Sequence, residues 1–228
     1  MINQTEQISL FKIIGSQLKR KVECLLIGGS TMMFYGAKNA TKDIDIVFLK
    51  TDDLSVVKKI IYNSGFNERK KIKGIFREDK EIVMPIIMEN NDRRFALFLN
   101  EVIGFKIHEK ILERVKQVHE FGNFIVKTAS PEDILMMKAC TEREKDRDDG
   151  AELIKRFNIE WSIILSYASL QDKIGIAAFP LLLYDFLLEL KENYKTEIPS
   201  QVMRELIKIS EKKLKELSKK DDVVKAIK

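Results

Sequence analysis

The sequence has few of the residues that build disulfide frameworks and zinc sites. Its 228 residues include two cysteines, Cys24 and Cys140, far apart within apolar patterns, and two histidines, His108 and His119. A disulfide scaffold would need more cysteines, so both are expected to be reduced core thiols in a cytoplasmic protein. Neither histidine has the neighbouring ligands of a zinc motif, so no zinc site is predicted.

The sequence also predicts neither a signal peptide nor a membrane span. The start, "MINQTEQISLFK", lacks the basic residues and apolar block of a secretory signal. The most apolar window, "GIAAFPLLLYDFLLEL", is interrupted by Pro180 and Asp185 and is short for a bilayer. Hydrophobic residues at 45% and charged residues at 33% are typical of a globular protein, so no membrane partner is predicted.

The formal net charge of +5 is concentrated in two stretches. Arg69–Lys80 holds six basic and two acidic residues, and the chain from Gln201 onwards holds nine basic and five acidic residues. For the C-terminal stretch a solvated helix is favoured. The first stretch also contains Phe76, so a solvated hairpin and a surface for RNA or a polyphosphate both stay open.

Hydrophobic periodicity predicts an α/β fold with a mixed sheet flanked by helices, followed by an all-helical C-terminal region. The change near residue 128 predicts an α/β domain over residues 1–127 and a helical domain over residues 128–228. The predicted strands cover residues 22–29, 43–49, 70–78, 81–89, 93–104 and 123–130. The predicted helices cover residues 5–20, 30–37, 51–65, 106–121, 130–144, 146–157, 160–174, 180–194 and 200–217.

The stretch "LLIGGSTMMFYGAKNATKDIDIVFL" carries the chemistry that stands out. Gly28 and Gly29 fall at a strand-to-helix turn, where a ligand can approach the backbone and a helix start can bind an anion. Ser30 is predicted to cap the helix and to add a hydroxyl donor. Asp43 and Asp45 are two residues apart on the next strand, so they should share one face. A carboxylate pair of this kind suits Mg²⁺ or Mn²⁺, with phosphates and water as further ligands.

A second group of charged residues lies in "SPEDILMMKACTEREKDRDD". Lys138 is placed in an apolar helix, from which it could reach a phosphate or a carboxylate. Arg143, Asp146 and Asp149 are spaced three apart, so they can meet on one helix face. An ion-pair network without a chemical role is the other interpretation.

The Gly-Gly-Ser and Asp-Ile-Asp motifs resemble the signature of the DNA polymerase β-type nucleotidyltransferase superfamily. "TKDIDIV" and the second motif are similar to a branch of uncharacterised members related to abortive-infection AbiE-type toxins, and the resemblance covers roughly Leu25 to Leu153. It implies transfer of a nucleoside monophosphate from an NTP to a hydroxyl of RNA, protein or a small molecule, with release of pyrophosphate. A cognate antitoxin is a further partner that this branch implies.

The resemblance also assigns roles to individual residues. It implies that Asp43 and Asp45 bind the metal and that Lys138 takes part in catalysis. The residues expected to bind the nucleotide are Gly28, Gly29, Ser30, Lys42, Arg143, Asp146 and Asp149.

One position departs from the superfamily pattern. Many members carry a third carboxylate on a central strand, but "RRFALFL" has Ala96 where that acid is expected, and Glu89 and Glu101 are only nearby acids. Two readings therefore stay open: an active transferase with two acids, and a module that binds NTP or a partner without turnover. A helical interaction protein with an incidental aspartate pair is a third, which the glycine turn argues against.

Overall fold

The computed structural model describes residues 1–69, 84–91, 93–141, 143–176 and 178–226. It divides into two compact units, Met1–Met137 and Lys138–Lys228. Apart from Arg69, the basic stretch Arg69–Lys80 lies outside the described residues, as does the strand predicted over 70–78. The predicted domains, 1–127 and 128–228, stay a prediction about independently folding parts.

The first unit contains all the strands that the described residues form. Its strands are β1 (Ile2–Asn3), β2 (Val22–Ile27), β3 (Ala40–Thr41), β4 (Asp43–Phe48), β5 (Asn67–Glu68), β6 (Ile86–Asn90), β7 (Arg93–Leu99), β8 (Glu101–Val102), β9 (Phe105–Lys106), β10 (Val118–Phe121) and β11 (Phe124–Thr128). Its helices are α1 (Gln4–Gln17), α2 (Gly28–Phe34), α3 (Thr51–Asn63), α4 (Glu109–Glu113) and α5 (Pro131–Lys138), the last ending at the first residue of the second unit.

The main sheet is mixed, as the sequence predicts. Within the described residues it has seven strands in the order β10-β11-β2-β4-β7-β6-β5. The pairs β11–β2 and β4–β7 are parallel, and the other neighbours are antiparallel. Two small ribbons, β1–β3 and β8–β9, accompany it. Because β4 lies beside both β2 and β7, its residues sit near the middle of the sheet.

One face of this sheet carries the main core of the unit. Ile44, Ile46, Phe95 and Leu97 point into a buried cluster. Apolar residues of α1 and α3 belong to the same cluster: Phe11, Ile14, Leu54, Val57, Ile60 and Ile61. Since strand side chains alternate, residues 43, 45, 94 and 96 face the opposite side.

Two predictions for the segment after β7 are wrong. The strand predicted over 93–104 ends at Leu99, because Asn100, Ile103 and Gly104 have positive φ and form a tight β8–β9 ribbon. The helix predicted over 106–121 is only α4, and His108 is its N-cap while His119 lies in β10. Residues 118–121 pair in register with β11, so sheet pairing outweighs the helical spacing of the apolar residues there.

The second unit is helical throughout its described part. Its helices are α6 (Glu144–Arg156), α7 (Trp161–Ile174), α8 (Phe179–Asn193) and α9 (Ser200–Ala226). Helix α8 packs against the other three. A Cβ added at Gly150 of α6 would come within 2.7 Å of the Phe186 ring of α8, so a glycine permits this close crossing.

Both cysteines are thiols. Cys24 is buried in β2, and burial raises the pKa of its thiol well above the ordinary value. Burial also raises the pKa of Cys140. Among the described residues, no helix is both long enough and apolar enough to cross a bilayer.

Candidate active site

The glycine turn begins α2 directly at the end of β2. Gly28 has φ +61°, and a Cβ there would lie 2.6 Å from Oδ2 of Asp45. A Cβ on Gly29 would lie 2.8 Å from Oγ1 of the buried Thr41. The helix therefore starts two residues earlier than the sequence predicts, with Ile27 as N-cap and the glycines forming its first turn. Glycine is required here because the backbone packs directly against the aspartate.

Ser30 lies inside α2 and is fully buried. Its Oγ donates a hydrogen bond to the backbone carbonyl of Asp43 at 2.9 Å, and its own carbonyl accepts from Nε2 of Gln7 at 3.2 Å. The hydroxyl proton thus links α2 to β4 rather than facing a ligand. The part of Ser30 that suits a ligand is its backbone N–H, which belongs to the first turn and has no intrahelical acceptor.

Asp43 and Asp45 lie on one face of β4, as the two-residue spacing predicts. Both are partly buried, whereas Ile44 between them is fully buried in the core on the other face. Lys42, the neighbour of Asp43, is exposed. The two carboxylates thus share a face with the backbone of Gly28, which contacts Asp45.

Strand β7 adds a residue that the sequence analysis missed. The register of the parallel β4–β7 pair places Arg94 beside Asp43 and Ala96 beside Asp45. Nε of Arg94 donates to Oδ1 of Asp43 at 2.5 Å, and this bond raises the pKa of the arginine although burial opposes it. Arg94 precedes Ala96 by two residues on a predicted strand, so the sequence could predict that they share a face. It could not predict which strand pairs with theirs.

The structure also places Ala96 and the two acids near it in the sequence. Ala96 is buried and puts a methyl group beside Asp45. Glu89 of β6 is the register partner of Arg94, on the side away from Asp43, while Glu101 is in the β8–β9 ribbon and pairs with Lys106. Two carboxylates with phosphate and water ligands are a donor set that Mg²⁺ accepts. No group of three acidic, histidine or cysteine side chains suited to a metal occurs among the described residues.

The second motif forms an ion-pair network at the start of the second unit. Lys138 is buried, and its Nζ donates to Asp146 at 2.8 Å and to Asp149 at 2.6 Å. Nε of Arg143 donates to Asp146 at 2.7 Å, although the Arg143 side chain is 64% exposed. Thr141 also donates to Asp146. The four predicted residues therefore come together, and the Lys138 ammonium is shared by two carboxylates.

The charge state of this network is fixed by its contacts. Burial alone would raise the pKa of Asp146, but the Lys138 ammonium, the hydrogen bonds from Lys138 and Thr141 and the Arg143 charge together lower it to about 2. Asp146 is thus ionised at neutral pH, and the network holds it so.

The chain is similar to known proteins over most of its length. A family model described as "Nucleotidyl transferase of unknown function (DUF2204)" matches residues 7–180. The solution structure of the antibiotic-resistance factor ANT(2'')-Ia is similar with a TM-score of 0.44 and 13% identity, over 84% of this chain and 97% of that chain. An antigenic nucleotidyltransferase-like protein from Paracoccidioides brasiliensis is similar with a TM-score of 0.45 and 13% identity, over 90% of this chain and 94% of that chain. No curated protein matches the sequence significantly.

Proposed function

The chain belongs to the DUF2204 family of nucleotidyl transferases, and from this premise we propose that it is a metal-dependent transferase. An acceptor hydroxyl oxygen attacks the α-phosphorus of an NTP, the bond from that phosphorus to the bridging oxygen breaks, and pyrophosphate leaves. The hydroxyl proton passes to solvent. The observation that carries the proposal is the pair Asp43 and Asp45 on one face, against the Gly28 backbone.

The residues of the first unit divide the work by their chemistry. The carboxylates of Asp43 and Asp45 would hold a Mg²⁺ or Mn²⁺ ion. The backbone N–H groups of Gly28, Gly29 and Ser30 and the exposed ammonium of Lys42 bind the triphosphate. When bound, the metal ion neutralises phosphate charge and favours in-line displacement.

In this proposal the network around Lys138 acts within the second unit, where it positions that unit's own charged groups. Asp146 and Asp149 engage the ammonium of Lys138, and Asp146 also orients Arg143. The largely exposed guanidinium of Arg143 is then the cation of this group best suited to a phosphate.

The acceptor proposed is RNA, and a protein side chain is the alternative acceptor. The basic composition of Arg69–Lys80 and the resemblance to AbiE-type toxins support RNA, and the same resemblance supports a cognate antitoxin as partner. A second candidate function is binding of NTP or a partner without transfer. It is favoured by Ala96, which puts a methyl group where a third carboxylate would lie beside Asp45.

Transfer is tested with α-labelled ATP, GTP, CTP and UTP, each with Mg²⁺ or Mn²⁺ and bulk tRNA. We expect label on RNA, or on the protein itself, with one nucleotide preferred. Asp43→Asn and Asp45→Asn should each reduce labelling by about a hundredfold or more, because each removes a metal ligand.

Asp52→Asn is the matched control, since Asp52 is an exposed acid in the first turn of α3, and it should label like the native chain. Metal-dependent NTP binding without label on any acceptor would favour the binding module. Absence of both binding and labelling would refute the transferase and the module together.

A further inference from the structure

Arg94 is a charged side chain within the candidate site that the proposed function leaves without a role. Its side chain is 24% exposed, and its Nε donates to Oδ1 of Asp43. A guanidinium stays protonated in proteins and carries five N–H donors, of which this bond uses one. A permanent positive charge therefore lies against one of the two carboxylates.

On β7, the position beside the other carboxylate is an alanine. Ala96 is the register partner of Asp45, just as Arg94 is the register partner of Asp43. Neighbouring strands are about 4.8 Å apart, so a carboxylate at position 96 would reach a cation held by Asp45, whereas a methyl group offers no ligand. Glu89 of β6 is the register partner of Arg94 on the side away from Asp43, so strand β7 separates it from the aspartate pair.

These two features act in the same direction. Two-metal sites hold their ions about 3.5–4 Å apart and need ligands for both. Here a fixed cation lies beside Asp43, and the register partner of Asp45 on β7 is an alanine instead of an acid. A second divalent ion would meet repulsion from Arg94 beside Asp43, and position 96 beside Asp45 would offer it no ligand.

We propose, on the basis of the proposed function, that the site takes a single divalent cation per chain and that Arg94 stands in for the second. Arg94 is a positioning residue: it holds Asp43 through Oδ1, so that contact with the ion falls to Oδ2. Its charge also offsets that of the triphosphate. The side chain thus sets both the metal stoichiometry and the balance between metal and nucleotide affinity.

The experiment counts bound Mn²⁺ by electron paramagnetic resonance, for Mn²⁺ alone and with α,β-methylene analogues of the four NTPs. The native chain should bind one Mn²⁺ and Ala96→Asp should bind two. Removing the positive charge in Arg94→Gln should strengthen binding of Mn²⁺ alone and weaken binding of the analogue, each by about tenfold. A purely structural role of Arg94 would instead weaken both.

Arg93→Gln is the matched control, because Arg93 is exposed on the same strand and points to the other face, and both affinities should stay native. Arg94→Lys keeps the charge and loses the Nε bond, so its Mn²⁺ affinity should stay within about threefold of native. Circular dichroism of each variant establishes that the sheet is intact. If either variant is less stable, comparing the Mn²⁺ affinities of Arg94→Lys and Arg94→Gln still gives the effect of the charge, because both variants lose the Nε bond.

Two Mn²⁺ ions on the native chain, or an Arg94→Gln variant with native or weakened Mn²⁺ binding, would overturn this inference and leave the transferase proposal intact. A native chain that binds neither Mn²⁺ nor any analogue would overturn the transferase proposal itself.

Discussion

At the scale of single residues, Gly28 offers the sharpest test of the site. Gly28→Ala and Gly36→Ala both put a side chain at positive φ, +61° and +68°, so each should lose about 1–2 kcal/mol of unfolding free energy. Only at Gly28 would the new Cβ meet a carboxylate, that of Asp45, since nothing lies within 4 Å of a Cβ at Gly36.

Gly28→Ala should therefore weaken binding of the Mn²⁺–NTP analogue by at least about tenfold, because Asp45 must move. Gly36→Ala should bind like the native chain. Urea denaturation first establishes that the two variants have similar unfolding free energies, and titration calorimetry then compares their affinities for the analogue. Equal affinities would show that the glycine turn does not shape the proposed metal site.

The same scale shows what the sequence could predict about the site. The shared face of Asp43 and Asp45 follows from the period of a strand, so spacing was sufficient. The bond from Arg94 to Asp43 joins residues 51 positions apart and depends on β4–β7 register, which no local pattern encodes. The hydroxyl of Ser30 was predicted to face a ligand, and its actual acceptor, a backbone carbonyl 13 residues later, needed the same long-range information.

At the scale of elements, Gly15 allows α1 to pack closely against the β10–β11 hairpin. A Cβ on Gly15 would overlap the carbonyl oxygen of Phe121, a backbone atom that cannot move alone. Gly15→Ala should lower the unfolding free energy by about 2 kcal/mol or more, despite the better helix propensity of alanine.

Ser16→Ala, at the next and exposed position of α1, should change it by less than about 0.5 kcal/mol. Urea denaturation monitored by circular dichroism distinguishes the two variants. If Gly15→Ala and Ser16→Ala have equal unfolding free energies, α1 has room to shift on the sheet.

The junction of α5 and α6 predicts an acid-sensitive contribution to stability. The pKa of Asp146 is about 2 in the fold against an ordinary 3.8, so its ionised form is stabilised by about 2 kcal/mol. Because the folded value is the lower one, this stability is present above pH 4 and is lost as the pH falls towards 2. Asp146→Asn should lower stability at pH 7, most of all because Lys138 loses one of its carboxylates.

The difference between native and Asp146→Asn proteins should then shrink between about pH 4 and pH 2, as urea denaturation at each pH would show. Glu152→Gln removes a partly exposed carboxylate of α6 that pairs with the exposed Arg156, and it serves as control with little effect at any pH. A constant difference for Asp146→Asn across this range would contradict the ionised network.

Element identity was predictable where local and long-range preferences agreed. Helices α5 to α9 and strands β2, β4 and β7 agree with the prediction because periodicity and burial favour the same structure there. The helix prediction for residues 106–121 failed because its last residues, although their apolar spacing suits a helix, form β10 and pair with β11. Helix α2 was predicted, but its start was placed two residues too late, because it begins at a glycine and has no side-chain cap.

At the scale of the whole molecule, metal is expected to serve chemistry and not folding. Among the described residues no three-ligand group is available for a structural ion. EDTA should therefore abolish nucleotide transfer while changing the thermal midpoint by less than about 1 °C. Mg²⁺ with saturating NTP should raise the midpoint by about 2 °C or more, because ligand binds only the folded state. Differential scanning fluorimetry measures both, and a midpoint that falls by several degrees in EDTA would reveal a structural metal.

The fold class was also predictable at this scale. The change from mixed strands and helices to helices alone near residue 128 was visible because the two patterns have different periods. The strand order β10-β11-β2-β4-β7-β6-β5 was not, since it depends on pairings between distant segments.

The methyl group of Ala96 has a consequence for the genetics of this protein. Every alanine codon becomes an aspartate or a glutamate codon by a single base change, so a randomly mutagenised gene readily yields an acid at position 96. A cell-based screen of such a library would therefore sample the three-acid form of the site without deliberate engineering, and the fate of that allele would report whether selection favours the two-acid version.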